Sequence, residues 1–489
     1  MYRTIVYLPM FVLAILLVGH PLSSQAQTTN FNGVNVPGVV ITHSPASSGV
    51  YTGTPSLAIL PNGDYIASTD YFGPNADQIG IYETDIFRST DRGQTWSAVT
   101  TIDHQYWSNL FVYNNDLYLL GVPGGRQEMT IRKSIDGGST WTEPTSSTNG
   151  ILRSAGSLGF HTSSVPVVVH NGRIWRAYED NATGGPWPGQ FRAAMMSAPI
   201  GSDLLNAANW THTNAIASDS SWLANGFNGW LEGNAVIDRN GNIVNITRVD
   251  VGVGEPEKAA IVRAQNKFFL TFDPNNDIID MPGGAKKFTI RYDAASDKYW
   301  SVTSIVNDDN YDPNRKPEHI RNTMALISSD DLTQWTVEKI IVQNLSDVTK
   351  IGFQYMDWQF DGSHIVIASR TAYPDGLGGA NTFHDSNFLT FHRITTLDGD
   401  IDGDGFVGIN DLNIILSNWN QNVPVANILF GDLAGIGDGF VGISDLNVVL
   451  GNWNAGTPPA LDTSTIPEPA TLGLVALGGL VLIRRRGIH

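Results

Sequence analysis

Asp400, Asp402 and Asp404 stand at alternate positions, Gly405 follows at once, and Asp411 falls twelfth counting from Asp400. Carboxylates at this spacing wrap oxygen ligands around a calcium ion; the glycine permits the sharp turn and the carbonyl of Phe406 supplies the seventh position. The stretch 403–420 returns at 437–454 with four of eighteen positions changed, a tandem repeat with a period of 34 residues. In the second copy the first two ligand positions are Ala434 and Ile436, which leaves Asp438 and Asp445 with a displaced Asp432. One strong Ca²⁺ loop and one weak or lost loop are therefore expected. A second constellation is built from histidine, arginine and tyrosine: His161, His170 with Arg173 and Arg176, and His384 near Arg370 and Tyr373. A neutral imidazole is suited to proton removal near neutral pH, and a guanidinium to neutralising a carboxylate. His161 and Arg370 are read as substrate-binding residues on that ground.

The elements that must carry these groups are of two kinds. After Asp411 the apolar residues Leu412, Ile415, Leu416 and Trp419 recur at helical spacing, so a helix follows the loop and its face is expected to pack on Leu446, Val449, Leu450 and Trp453 of the twin. From about Asn35 to Ile394 the pattern changes to short alternating segments broken by Gly, Asn and Asp. Leu57 to Leu60, the turn Pro61 to Asp64, and Tyr65 to Ser68 read as strand, hairpin and strand. Two octads stand out, Ser89, Asp91, Gly93, Thr95 and Trp96, and Ser134, Asp136, Gly138, Thr140 and Trp141. In each the Asp closes a hairpin on backbone amides, the Gly takes a left-handed conformation, and the Trp packs between sheets. A looser copy runs from Ser328 through Asp330 to Trp335, and a weaker one ends at Trp210. Their spacing predicts an all-β, six-bladed β-propeller, with seven shorter blades as the alternative, whose axial pocket is a natural ligand site.

The octads fit the Asp-box, and the body resembles the sialidase superfamily over about 360 residues (27–395 as a domain). That resemblance implies a glycoside hydrolase in which arginines hold a substrate carboxylate, a glutamate activates a tyrosine nucleophile, and an aspartate serves as acid/base. Residue by residue it implies Tyr355 as nucleophile, Glu232 as its base, Asp77 as acid/base, and Arg248 and Arg321 on the substrate; Glu232 precedes Arg248 by sixteen residues. Gly53, Thr54 and Pro55 stand where the family's first arginine motif belongs, so that arginine is missing. The histidine cluster is similar in style to propeller polysaccharide lyases and rhamnosidase-like enzymes on uronate glycans. A carbohydrate-binding propeller without turnover is the third reading.

The repeat pair (398–456) resembles a type I dockerin, which implies calcium and a cohesin-type partner. Arg3, the apolar run Ile5 to Val18 and Ser24-Gln25-Ala26 read as a signal peptide (1–26). After a linker (457–466), Pro467-Glu468-Pro469, an uncharged segment and Arg484-Arg485-Arg486 resemble the PEP-CTERM tail (467–489), implying export, a transmembrane or surface anchor, and an exosortase-type partner.

Charge and composition narrow the rest. With no cysteine, thiol catalysis, disulfides and Cys-ligated metals are excluded. A net charge of −18 without a basic cluster leaves no footprint for nucleic acid. Ten of the acids lie after Arg393 with no base before Arg484, whereas the body carries 37 acids against 25 bases. An anionic substrate must therefore meet local arginines and not the field of the whole molecule.

Overall fold

The structure, a computed structural model, describes residues 27–78, 82–124, 128–154, 159–181, 185–433 and 438–458. The signal segment and the sorting tail lie outside the described residues, among which no helix is long and apolar enough to cross a membrane. Six antiparallel sheets follow one another along the chain, opening with the innermost strands Tyr51–Ile59, Tyr106–Tyr113, Phe160–His161 with Val168–His170, Phe227–Ile237, Thr289–Asp293 and Gly352–Asp361. These are six propeller blades, numbered here in chain order. Blade 6 takes its outermost strand, Val39–His43, from the start of the body, where it pairs with Phe388–Thr395. The ring is thus closed by the two ends of the propeller chain, and an ion cluster of Arg393, Arg92 and Tyr65 on Asp361 ties blade 6 to blade 1.

Both faces of each sheet are covered, so alternate side chains go to different neighbours. In the second strand of blade 1, Tyr65 and Ala67 join a cluster with Phe391 of blade 6, while Ile66 joins Leu110 and Leu119 of blade 2. Four further clusters fill the remaining interfaces in the same way. The Asp-boxes stand at these seams. Asp136 accepts from the amides of Ser139 and Thr140 and from Thr140 Oγ1, Gly138 has φ 94°, and Trp141 Nε1 donates to the Gly138 carbonyl at 2.9 Å. The third box corrects the sequence expectation by one residue. Ser329 and Asp331, not Ser328 and Asp330, make the closing bonds, because one residue is missing from the turn and Leu332 (φ 70°) takes the place of the glycine.

Residues 398–433 and 438–456 carry two loop–helix units with helices Ile409–Ser417 and Ile443–Gly451, packed through Ile401, Val407, Ile415, Val441 and Val449. The expected helix face is only half used. Leu412 and Leu446 are partly covered, but Leu416, Trp419, Leu450 and Trp453 are 39–54% exposed. Two nine-residue helices offer each other about one buried side chain apiece, which the periodicity alone does not reveal. The first loop is seated on the blade 6 hairpin: Ser363 N donates to the Gly403 carbonyl at 3.1 Å, and Ser363 Oγ to Asp400 Oδ2 at 2.5 Å.

Candidate active site on the propeller axis

Four innermost strands break register at the same end of the ring, between Thr52 and Pro55, Tyr106 and Asn109, Leu231 and Asn234, and Gln354 and Asp357. A bulge adds a residue and re-aims its side chain. Three of the added residues, Trp107, Glu232 and Tyr355, have φ of 47°, 59° and 57°, a left-handed conformation costing about 1–2 kcal/mol for a non-glycine residue. All three line one cavity of about 190 Å³ together with Gly53, Thr54, Phe72, His161, Arg370 and His384. That is room for about one sugar ring, walled by aromatic faces and by charge.

The carboxylate of Glu232 is buried and held by Arg248 Nη1 at 3.0 Å; Arg248 Nη2 bonds Glu318 at 3.0 Å and its Nε the Ala285 carbonyl at 2.9 Å. Burial works against the charge on Glu232, but Arg248, His161 and Arg321 outweigh it and hold its pKa below the usual carboxylate value. Burial likewise opposes the Arg248 cation, and Glu232, Tyr355 and Glu318 override it. Every nitrogen of Arg248 already donates within the protein, so this arginine serves Glu232.

Arg321 and Arg370 differ: both are 4% exposed, and among the described residues neither has a carboxylate partner. Arg321 donates to Gln354 Oε1 and to the Glu318 carbonyl, and Arg370 to the His384 carbonyl. Their guanidinium carbons stand 5.6 and 4.8 Å from the centre of the Tyr355 ring, and Arg370 also covers Phe72 at 4.5 Å. Burial pulls Arg321 down to about 10, with the neighbouring cations Arg248 and Arg370 acting in the same direction, and burial lowers Arg370 too.

The histidine cluster divides. His161 and His384 reach the cavity, whereas His170 bonds the Gly241 carbonyl at a hairpin, Arg173 bonds Ser197, and Arg176 is buried between blades on Asn109 and Ser163. Burial and the Arg370 charge push His384 down to about 4, so it is neutral at pH 7. Asp77 lies on the short helix Pro74–Gln78 beside the blade 1 strands; its side chain is outside the described residues.

Sequence reasoning missed Asp70, Trp107, Glu179 and Glu318. Asp70 is 1% exposed, accepts from the amides of Thr54 and Trp107 at 2.5 Å each, and occupies the space beside Gly53. A Cβ on residue 53 would lie 1.8 Å from Asp70 Oδ1, so a buried acid stands where the resemblance looked for an arginine. Gly53→Ala is expected to cost about 1–3 kcal/mol of stability in denaturant melts, and Asp70→Ala in the same chain to relieve most of it. Burial raises the Asp70 pKa to about 6, against the amide donors and Arg370. A carboxyl raised in the folded state contributes stability that is complete below its unfolded pKa near 4 and is lost as pH rises through 6. The loss is about 3 kcal/mol by pH 7, and Asp70→Asn is expected to flatten the stability profile between pH 4 and 6.

In the appended module, Asp400, Asp402 and Asp411 each place a carboxylate oxygen within 4.8 Å of the other two, a hard-oxygen donor set that fits calcium. Asp404 caps the Phe406 amide at 2.9 Å. In the second loop Asp445 repeats the bonds of Asp411, accepting from Leu433 and Gly442. Asp432 repeats the bond of Asp400 to its turn glycine, accepting from Gly439 N at 3.0 Å, and its Oδ1 is buried without a partner among the described residues. Asp432 thus bonds its turn glycine as Asp400 does, and stands thirteen residues before Asp445 where Asp400 stands eleven before Asp411; Asp438 caps the Phe440 amide, and Ala434 and Ile436 lie outside the described residues.

Residues 465–486 match the PEP-CTERM protein-sorting motif, which marks the chain for export and for surface or membrane anchoring and implies an exosortase-type partner. No curated protein matches the chain. Among solved structures, the chain is similar to an alpha-L-arabinanase of Penicillium chrysogenum, at 14% identity over 73% of this chain and 97% of that one, TM-score 0.45. It is also similar to an alpha-L-arabinofuranosidase of Fusarium graminearum, at 12% identity over 76% and 98%, TM-score 0.48. A sialidase of Trypanosoma rangeli is 13% identical over 81% of this chain and 60% of its own length, TM-score 0.45.

Proposed function

We propose that the axial cavity is the active site of an exo-acting glycoside hydrolase that releases one terminal, carboxylate-bearing sugar. The observation that carries this reading is Tyr355, re-aimed by a bulge into a cavity shared with Glu232, its ring flanked by two buried guanidiniums that have no carboxylate partner among the described residues. A phenol is a poor nucleophile until a neighbouring base removes its proton. Glu232, kept ionised by Arg248, accepts the proton. Arg321 and Arg370 then fork onto a substrate carboxylate, and the one-ring cavity confines the enzyme to chain ends.

The experiment is product analysis with the full exported chain on sialylated, uronate-containing and neutral oligosaccharides. Hydrolysis adds water and frees a terminal acidic sugar. An unsaturated uronate would instead establish a lyase, a reading favoured by His161 in the same cavity, and retention of glycan without turnover would establish a binding propeller. Preference for neutral sugars would remove Arg321 and Arg370 from substrate recognition.

For the appended module we propose calcium at Asp400, Asp402, Asp404, Asp411 and the Phe406 carbonyl, with Asp432, Asp438 and Asp445 forming the weaker loop, and a cohesin-type partner on the exposed Leu416, Trp419, Leu450 and Trp453. Saturating calcium at a hundred times its Kd is expected to stabilise the folded module by about 2.7 kcal/mol. Asp411→Ala should abolish that gain in a calcium titration followed by thermal melting.

A further inference from the structure

We propose that His161, oriented by the buried Glu179, is the residue that protonates the departing sugar oxygen and then activates water in the reaction at Tyr355. This inference rests on the hydrolase reading above. His161 and Glu179 are direct partners across antiparallel strands of blade 3, and His161 Nδ1 lies 2.8 Å from Glu179 Oε2. Both side chains are at most 3% exposed. The other Glu179 oxygen accepts from the amide of Gly233 at 3.0 Å, the residue that follows Glu232 in the bulge. One carboxylate therefore sets the imidazole and the catalytic bulge in the same frame. Trp107, Phe191 and Trp187 pack around the ring at 4.6, 4.9 and 5.3 Å and fix its plane.

Because Glu179 occupies Nδ1, it holds that nitrogen protonated, and Nε2 is the polar atom left for the cavity that His161 lines. Glu179 and Glu232 are the charged groups that act on the imidazole; Arg176 stands behind Glu179 and Arg248 behind Glu232, and Asp180 is paired with Arg192. The acid the reaction requires is the imidazolium, with the Nε2 proton facing the cavity. In the first step Tyr355 Oη bonds the anomeric carbon and gives its proton to Glu232, while the bond from that carbon to the leaving oxygen breaks and the oxygen takes the Nε2 proton. In the second step water bonds the anomeric carbon, its proton goes to Nε2, and the bond to Tyr355 breaks as the phenol recovers its proton from Glu232. The resemblance assigns this acid to Asp77; the geometry points to His161.

The test compares glycosides with a poor leaving group, an alkyl alcohol, and a good one, fluoride. His161→Asn is expected to slow the alkyl glycoside by about 10²–10⁴-fold, to leave formation of the Tyr355 adduct from the fluoride nearly unchanged, and to yield a glycosyl azide when azide replaces water. Glu179 is a positioning residue, and Glu179→Gln should move the basic limb of the pH–rate profile to lower pH, a change that a packing defect does not produce. Equal slowing of both substrates by His161→Asn, or leaving-group dependence and azide rescue in Asp77→Asn instead, would overturn the assignment to His161. Absence of turnover in the unaltered protein, or full activity of Tyr355→Phe, would overturn the hydrolase reading itself.

Discussion

Tyr355→Phe is expected to lower kcat for glycoside hydrolysis by about 10³-fold or more while leaving substrate Kd within about twofold. Phe keeps the ring and its place between Arg321 and Arg370, at 5.6 and 4.8 Å. It also meets no new steric demand, because Tyr355 already holds φ 57° and the strain belongs to the backbone. What disappears is the oxygen that bonds the anomeric carbon in the proposed reaction. On the proposed mechanism the two arginines remain to bind the substrate carboxylate, so binding is expected to persist without turnover, which separates lost chemistry from lost structure. The check is single-turnover kinetics beside equilibrium binding, with a fluorinated glycoside that traps the covalent adduct. Mass spectrometry should place that adduct on Tyr355 in the unaltered protein and find none in the variant. If hydrolysis survives Tyr355→Phe, the nucleophile lies elsewhere and the hydrolase proposal fails as stated.

How far these residues were legible depended on whether their partners are local. The Asp-boxes were readable because Ser134, Asp136, Gly138, Thr140 and Trp141 satisfy one another within one hairpin. Blade number followed from their spacing, but not the closing strand Val39–His43, whose partner lies some 350 residues away and leaves no periodic mark. Tyr355, Glu232, Arg248 and Arg321 were found through a family resemblance, and nothing in their immediate sequence announces that Tyr355 and Glu232 line one cavity while Arg248 bonds Glu232 and Arg321 stands beside the Tyr355 ring. The bulges explain why. Insertion of one residue into a ladder is a relation between two strands, and neither Trp107 nor Glu232 carries a glycine-like signature for its left-handed backbone. Gly233 was the available hint, since a Cβ there would lie 2.0 Å from Asn245. Asp70 and Glu179 were invisible for another reason: on alternating strands they read as ordinary polar positions, and their burial comes from neighbouring blades that periodicity cannot place. Leu416 and Leu450 show the converse, apolar periodicity that marks a helix face without saying what covers it, and the same pattern carried on to Trp419 and Trp453 overruns both helices into the turns that follow.

Arg248→Met is expected to be the most destabilising single change at the site, by about 3–5 kcal/mol at neutral pH. The arginine is 3% exposed and bonds both Glu232 and Glu318 at 3.0 Å. Glu318 keeps Lys316 at 3.6 Å as a counter-charge, but Glu232 loses the one cation that, among the described residues, bonds it directly. With Arg248 in place the Glu232 pKa is depressed, so its contribution to stability is present above the unfolded value near 4.3 and is lost as pH falls. Without Arg248, burial becomes the governing influence and the pKa moves the other way, so the variant loses stability as pH rises. The difference between the two proteins should therefore widen from pH 4 to pH 8 in guanidinium melts. Adding Glu232→Gln to Arg248→Met removes the stranded charge and should recover much of the loss at pH 8 but little at pH 4. A pH-independent difference, or no recovery in the double variant, would mean that Arg248 supports the blade through packing and not through its pairing with Glu232.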